Sequence, residues 1–118
     1  MAASITKTEE TFGVIKKITW AWTAHTDGKV AKTTPNATTA AVFNGEIVRL
    51  VTIPDATSAP SDNYDVYIYD EDGLDVLLGA GKDRDTATAE QVAAANLSVV
   101  ANDRLTLYVE GAGSGGKG

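Results

Sequence analysis

The alternation of apolar and polar residues predicts β-strands in several parts of the chain. In VIKKITWAWT, residues 14–23, the side chains of Ile18, Trp20 and Trp22 share one face, and polar or small residues occupy the other. RLTLYVE, residues 104–110, alternates most regularly. A two-residue period of this kind is typical of a strand with one buried face. We predict a strand in each segment.

The segment YDVYIYD, residues 64–70, has the same period but ends in acids. One of its faces is apolar, whereas Tyr67 and Tyr69 lie on the opposite, hydroxyl-bearing face. The following acids meet a glycine in DEDG, residues 70–73, and Asp-Gly is a turn signal. We therefore predict a strand that leaves its sheet at an acidic turn.

The segment IVRLVTI, residues 47–53, is apolar on both faces. Such a pattern is typical of a central strand or of a strand whose second face is covered by another subunit. Asn44-Gly45, just before it, is a strong turn signal. The preceding Val42-Phe43 is therefore predicted to be a short strand hairpinned onto this one.

The intervening segments are polar or rich in alanine. Residues 25–39 and 54–63 contain several Pro, Asn, Asp and Gly residues and are predicted to be loops, with a short strand around Val30. The run TATAEQVAAAN, residues 86–96, favours a helix of at most two or three turns because of its alanines. We expect a mainly β chain: a single-domain antiparallel β-sandwich or barrel-like fold with at most one short helix.

The two ends of the sequence differ from the middle. Residues 1–12 are small, polar and charged without a sustained period, which predicts a flexible N-terminal arm. Residues 13–110 are predicted to form the β domain. Residues 111–118, GAGSGGKG, are predicted to be a glycine-rich tail or a turn toward a missing strand.

Composition and charge exclude several classes of function. The chain has 118 residues, 43% of them hydrophobic, and a net charge of −6, which fits one folded domain. Residues 50–81 contain seven acids and no Lys or Arg, so nucleic acid is not an expected partner. We see no leader and no apolar run of about 18 residues, and therefore expect no signal peptide and no membrane span. There is no cysteine.

No motif for catalysis or for metal binding stands out. His25 is the only histidine and lies in a polar turn, so it lacks the neighbours needed for a nucleophile–base pair. A calcium loop built around residues 72–73 would place Ile68 first and Gly79 last, where carboxylates are needed. A looser cation site at Asp70, Asp72 and Asp75 remains as the alternative to a solvated acidic turn. We expect no enzyme, no catalytic residue and no cofactor.

Aromatic and apolar residues are the better candidates for a functional surface. They are expected to be core side chains by default, but on an outer sheet face they would form a recognition surface. The candidate interface residues are Ile5, Phe12, Trp20, Trp22, Tyr67 and Tyr69.

Three stretches together resemble a recurrent small virion protein of tailed bacteriophages. They are ITWAWT (18–23), FNGEIVRLVTIPDATSAPSDNYDVYIYDEDGLDVLLGAGKDRDTATAEQV (43–92) and RLTLYVEGAG (104–113). The shared pattern is a Trp-bearing first strand, Asn-Gly-Glu before the second, an acidic strand end and an Arg-Asp-Thr turn. In similar proteins the glycine-rich turn is followed by one more apolar strand, and this chain departs from that pattern.

The resemblance implies a non-enzymatic β-sandwich of the virion, a capsid decoration (cement) protein made in the host cytoplasm and located on the capsid surface. It implies the major capsid protein and copies of the chain itself as partners, with a trimer as the suggested oligomer. Two alternatives stay open: a tail, baseplate or head-fibre component, and a carbohydrate-binding module or hydrolase.

Overall fold

The computed structural model describes residues 3–30, 41–97 and 99–118. Its strands are β1 (Ser4–Phe12), β2 (Ile15–Thr23), β3 (Ala41–Glu46), β4 (Arg49–Thr52), β5 (Asp65–Tyr69), β6 (Glu90–Ala93) and β7 (Val99–Glu110). They form three antiparallel sheets with the orders β1-β2, β3-β7-β5 and β4-β6. The mainly β, antiparallel class is confirmed, whereas the barrel-like alternative is wrong because the sheets of the described ranges do not close into a barrel.

β7 is the central strand of the three-stranded sheet. Leu105, Leu107 and Val109 alternate toward the interior, and none is more than 3% exposed. β5 pairs with the second half of β7 on one side, and β3 pairs with its first half on the other. Burial of each such side chain contributes about 1.5–3 kcal/mol of transfer free energy, so the regular alternation of the sequence determines which face is inside.

The core extends from β7 to the end of β2. Trp22 is 7% exposed, and its ring centroid lies 5.6 Å from that of Tyr64. The other buried apolar residues of the cluster are Ala24, Val30, Val66, Ile68, Val76, Leu77, Leu97 and Ala112.

β1 and β2 form a hairpin in which all nine residue pairs are in register, from Ser4 opposite Thr23 to Phe12 opposite Ile15. Gly13 and Val14 make the turn, and Gly13 has a φ of 63°, a left-handed conformation that glycine adopts without cost. The flexible arm predicted for residues 1–12 therefore differs from the structure over residues 4–12. Threonines and charges alternate there, and pairing with β2 turns that weak pattern into a strand.

The helix predicted at residues 86–96 is wrong. Its middle is β6, which pairs with β4 from Thr52 opposite Glu90 to Arg49 opposite Ala93, and only a short 3-10 turn follows at Ala94–Asn96. Pairing satisfies backbone groups of both strands, and this tertiary gain exceeds the small helix preference of alanine.

The turn predicted at Asn44-Gly45 is also wrong. Both residues lie within β3, where the register with β7 shifts between Phe43 and Gly45. Gly45 has a φ of 139°, which is tolerated because glycine has no Cβ and fits a β-bulge. β3 therefore pairs with β7 instead of folding back on β4.

Residues 111–118 pack against the body. The backbone N–H of Trp22 donates to Gly118 O at 2.9 Å, and Gly118 N–H donates back to Trp22 O at 3.2 Å. Lys117 N–H donates to Ser58 O at 2.9 Å. Gly115 and Gly116 are buried. The segment predicted as a tail or turn is thus bound to the last residues of β2 through its backbone.

The predicted short strand around Val30 corresponds to a two-way backbone bridge. Val30 N–H donates to Val109 O at 2.9 Å, and Val109 N–H donates to Val30 O at 3.1 Å. The rest of the loop predicted for residues 25–39 lies mostly outside the described residues, because residues 31–40 are not described.

Candidate functional site

Three tyrosines cluster on the outer face of the central sheet. Tyr67 and Tyr69 are two residues apart on β5, and their rings stack with centroids 5.7 Å apart and planes at 10°. Tyr108 lies opposite Tyr67 on β7, with ring centroids 5.8 Å apart. Directly opposed residues on neighbouring antiparallel strands share a face, so the strand register itself creates this cluster. We call Tyr67, Tyr69, Tyr108 and Glu110 the tyrosine face.

Glu110 joins two of these tyrosines. Tyr67 donates its hydroxyl hydrogen bond to Glu110 Oε1 at 3.2 Å, and Tyr108 donates to Oε2 at 3.1 Å. Lys82 Nζ lies 6.0 Å from the Tyr67 ring centroid. Burial, followed by the negative charges of Asp65 and Glu110, raises the pKa of Tyr67 to about 12. The phenols therefore stay neutral and serve as hydrogen-bond donors, not as bases.

A shallow cavity of about 210 Å³ borders the tyrosine face. Its lining residues are Ala3, His25, Asp27, Lys29 and Tyr108. His25 is exposed, as predicted, and its Nδ1 lies 3.5 Å from Asp27 Oδ1. The hydroxyl Oγ1 of Thr26 lies 3.2 Å from the same Nδ1. A nucleophile–base pair oriented by a third group needs one partner on each ring nitrogen, whereas Thr26 and Asp27 both contact Nδ1.

The acidic turn after β5 is held together by its own carboxylates. Asp75 accepts hydrogen bonds from the backbone N–H groups of Ile68 (3.2 Å), Leu77 (3.1 Å) and Gly79 (2.9 Å). Asp70 accepts from the N–H groups of Asp72 (3.0 Å) and Leu74 (2.9 Å). Such bonds are typical of Asp residues that shape turns. The sequence pattern of acids before glycine therefore has a structural explanation.

The alternative cation site has a different membership from the predicted one. Carboxylate oxygens of Asp70, Asp72 and Asp103 lie within 4.8 Å of one another. Asp75 is used by backbone donors instead. Asp103 comes from β7 and is 31 positions beyond Asp72, so the sequence pattern could not reveal it.

The end of the β1–β2 hairpin is apolar and exposed. Phe12 is 58%, Val14 100% and Ile15 49% exposed. We call these three residues the hairpin tip. All residues from 8 to 19 except Ile18 are exposed, and we call this half of the hairpin the distal ribbon. A few scattered apolar side chains on a surface are ordinary, but three at one turn form a contiguous patch.

A second group of exposed apolar residues lies on and beside β4. Val48, Val51 and Ile53 are all exposed. This matches the sequence pattern of a strand that is apolar on both faces, since Leu50 packs against the core while Val51, on the opposite face, is exposed. The second face of β4 is thus available to a partner.

The six predicted interface residues fall into separate environments. Trp22 is a core residue and is not accessible to a partner in this conformation. Ile5 and Trp20 pack against the core while remaining partly exposed. Phe12 belongs to the hairpin tip, and Tyr67 and Tyr69 belong to the tyrosine face. The structure brings the two tyrosines together with Tyr108, which is not among the residues predicted from the sequence. Tyr108 alternates with inward-facing residues in RLTLYVE, and this pattern could have indicated its position on the outer face of the sheet.

In the described ranges, no helix is long and apolar enough to cross a membrane.

Comparisons with protein-family models, with curated proteins and with solved structures find no match.

Proposed function

We propose that this chain is a non-enzymatic structural protein of a bacteriophage particle: a capsid decoration protein that binds assembled heads as an oligomer and contacts the major capsid protein. The sequence resemblance suggests the particle. The exposed hairpin tip is the structural observation that carries the binding role.

The hairpin tip is well suited to such a contact. Covering a Phe, Val or Ile side chain by a partner contributes about 1.5–3 kcal/mol each when burial is complete. A decoration protein acts through many modest contacts repeated over a shell, so that total binding strength comes from multiplicity. A hairpin with an exposed apolar end can contact neighbouring shell subunits without rearrangement of the core, since no core residue belongs to residues 8–19.

The test replaces Phe12, Val14 and Ile15 together by serine and measures occupancy on particles assembled without the protein. Since these side chains are exposed, the variant should keep the circular dichroism and unfolding midpoint of the parent while its occupancy falls at least tenfold. A matched control, Val48→Ser, alters an exposed apolar residue outside the tip. Unchanged occupancy of the tip variant would contradict the proposal.

The position on the particle distinguishes decoration from its nearest rival. Imaging of particles with the protein labelled should place label over the whole head. Label at one vertex or along the tail would instead favour the tail, baseplate or head-fibre alternative.

The tyrosine face supports a second candidate, carbohydrate binding. Aromatic rings beside a carboxylate and a lysine offer stacking surfaces and hydrogen-bond partners to a sugar. In that case Tyr67→Ala and Tyr108→Ala should abolish NMR shift changes on titration with oligosaccharides, whereas Asp72→Asn should not. If no oligosaccharide shifts any resonance of these tyrosines, this candidate is excluded.

A further inference from the structure

We propose that two copies of this chain associate through the outer edges of their β1 strands, antiparallel about a two-fold axis at Thr8, to form a four-stranded sheet. The inference rests on the self-association in the proposed function. It departs from the trimer that the resemblance suggests, because an isologous edge contact has two-fold symmetry and closes as a dimer.

β1 has a long and regular outer edge. It pairs with β2 over nine residues without a register shift, and within the described part these two strands form a sheet of their own. β1 contains no proline. Because hydrogen-bonded and non-hydrogen-bonded pairs alternate from the turn onward, the backbone groups of Ile5, Glu9 and Thr11 point to the outer edge. Such an edge is a template for another strand.

The distal ribbon gains most from a second pair of strands. Nearly all of its side chains are exposed on both faces, and an isolated two-stranded hairpin is only marginally stable in water. With the two-fold axis at Thr8, residues 8–12 of each copy would pair with residues 4–8 of the partner subunit, which gives a four-stranded sheet and satisfies backbone groups along the new seam. Backbone pairing thus favours association of the hairpin with the hairpin of a second copy.

Charge complementarity selects the register. With Thr8 opposite Thr8 of the partner subunit, Lys7 lies opposite Glu9 of the partner subunit, and the reverse pair follows by symmetry. Within one chain Lys7 Nζ already lies 2.7 Å from Glu9 Oε2, so the four charges would alternate in sign. Moving the axis by one residue places Lys7 against Lys7 of the partner subunit or Glu9 against Glu9 of the partner subunit, and both arrangements are repulsive.

The same register also covers part of the hairpin tip. Residues paired across an antiparallel seam point to the same face, and the position opposite Phe12 is Ser4 of the partner subunit. The exposed phenyl ring would therefore lie against the first residues of the partner's β1. Val14 would stay exposed, which leaves part of the tip for a further contact.

A single cysteine tests the register. Thr8 forms a non-hydrogen-bonded pair with itself across the axis, with Cα atoms about 4.5 Å apart, and a disulfide needs roughly 4.4–6.8 Å. Since the chain has no cysteine, mild oxidation of Thr8→Cys should give a disulfide-linked dimer. Thr19→Cys is the matched control: Thr19 lies opposite Thr8 on β2 and is also exposed, but the two copies of it would be separated by both β1 strands.

Charge exchange tests the pairing independently of cysteine. Lys7→Glu and Glu9→Lys should each weaken dimerisation about tenfold by sedimentation, since like charges then face each other twice. The double variant Lys7→Glu/Glu9→Lys restores opposite charges and should recover the parental association. Failure of the double variant to recover while the singles are weakened would contradict the register.

The outcomes separate this inference from the proposed function. An oligomer in which Thr8→Cys does not cross-link, or in which Thr19→Cys cross-links as well, overturns the β1 edge contact but leaves decoration intact. A chain that is monomeric at all concentrations and still occupies heads overturns only the self-association. A chain that neither associates nor occupies heads overturns both.

Discussion

The body of the molecule and the distal ribbon are both antiparallel β-structure, but different interactions stabilise them. In the body, β7 lies between β3 and β5 and carries Leu105, Leu107 and Val109 into a closed apolar core. In the distal ribbon, the two strands share hydrogen bonds, Glu9 forms ion pairs with Lys16 and with the neighbouring Lys7, and Lys16 also donates to Val42 O of β3. The body is held by burial, which is worth far more than exposed ion pairs.

This difference assigns stability and association to separate parts of the molecule. The body would fold and persist with the ribbon altered, because none of the core residues belongs to residues 8–19. We expect substitutions in the body to change the free energy of unfolding, and substitutions in the ribbon to change association.

The largest contrast is expected between a core leucine and the tip phenylalanine. Leu77 is fully buried, so Leu77→Ala should lower the free energy of unfolding by about 2–5 kcal/mol. Phe12→Ala should change it by less than about 0.5 kcal/mol because its ring is exposed. Urea unfolding of both variants below the concentration of self-association measures this. Equal losses would mean that the ribbon belongs to the cooperative core.

A second contrast compares two glycines. A Cβ at Gly81 would overlap the carbonyl oxygen of Val66, which belongs to the backbone and cannot move easily. Gly81→Ala should therefore cost about 3 kcal/mol. A Cβ at Gly13 would meet open space. Gly13→Ala should therefore cost only about 1–2 kcal/mol, which is the cost of placing alanine in a left-handed backbone conformation. Thermal unfolding of the two variants should rank them in this order, and the reverse order would contradict the packing described.

A third contrast compares a structural carboxylate with a ribbon carboxylate. Asp75→Ala leaves three backbone N–H groups without their acceptor and should cost about 2 kcal/mol. Glu9→Gln weakens exposed ion pairs with Lys7 and Lys16 and should cost less than about 1 kcal/mol. Chemical denaturation gives both values. A large loss for Glu9→Gln in the monomer would show that the ribbon charges are structural.

The smallest effects are expected in acid. Backbone N–H groups of Ala87 and Thr88 lower the pKa of Asp85 below 3.8, and Lys16 and Lys7 lower that of Glu9 below 4.5. A lowered folded-state pKa adds stability above the ordinary value, and that stability is lost as pH falls through the folded-state pKa.

Glu9→Gln should flatten the decline of stability below about pH 4.5, the ordinary pKa of Glu9, and Asp85→Asn should flatten the decline below about pH 3.8, the ordinary pKa of Asp85. Salt screens exposed charges, so added salt should reduce the Glu9 contribution more than the Asp85 contribution, which comes from local backbone hydrogen bonds. Denaturation midpoints over a pH series at two salt concentrations measure both effects. An equal salt response would contradict the assignment of their causes.

The clearest strand predictions from the sequence, β5 and β7, are confirmed because both strands send alternate side chains into the core. Val66 and Ile68 of β5 and Leu107 of β7 alternate strictly because one face is buried. β1 was missed because both of its faces are mostly exposed, so its residues carry no apolar period. The sequence predicts a helix at β6 because alanine favours helix locally, whereas the pairing of β6 with β4 joins residues about forty positions apart.

The candidate site was predictable only in part, for a related reason. Tyr67 and Tyr69 stand two apart in one strand, so their common face follows from the sequence. Their contact with Tyr108 and Glu110 depends on the register between β5 and β7. That register cannot be predicted from the sequence of either strand alone. The sequence predicts the acidic turn, but the roles of its acids as acceptors depend on where the folded chain places the backbone N–H donors.

The bridge between Val30 and Val109 has a practical consequence for peptide display. Ala41 pairs with Leu105 of the same strand, so the positions before and after residues 31–40 are both fastened to one side of β7. Since loop-closure entropy rises slowly with length, a foreign epitope grafted between these two anchors should leave the scaffold folded. If the protein coats a shell, every copy would present that epitope at the same defined place.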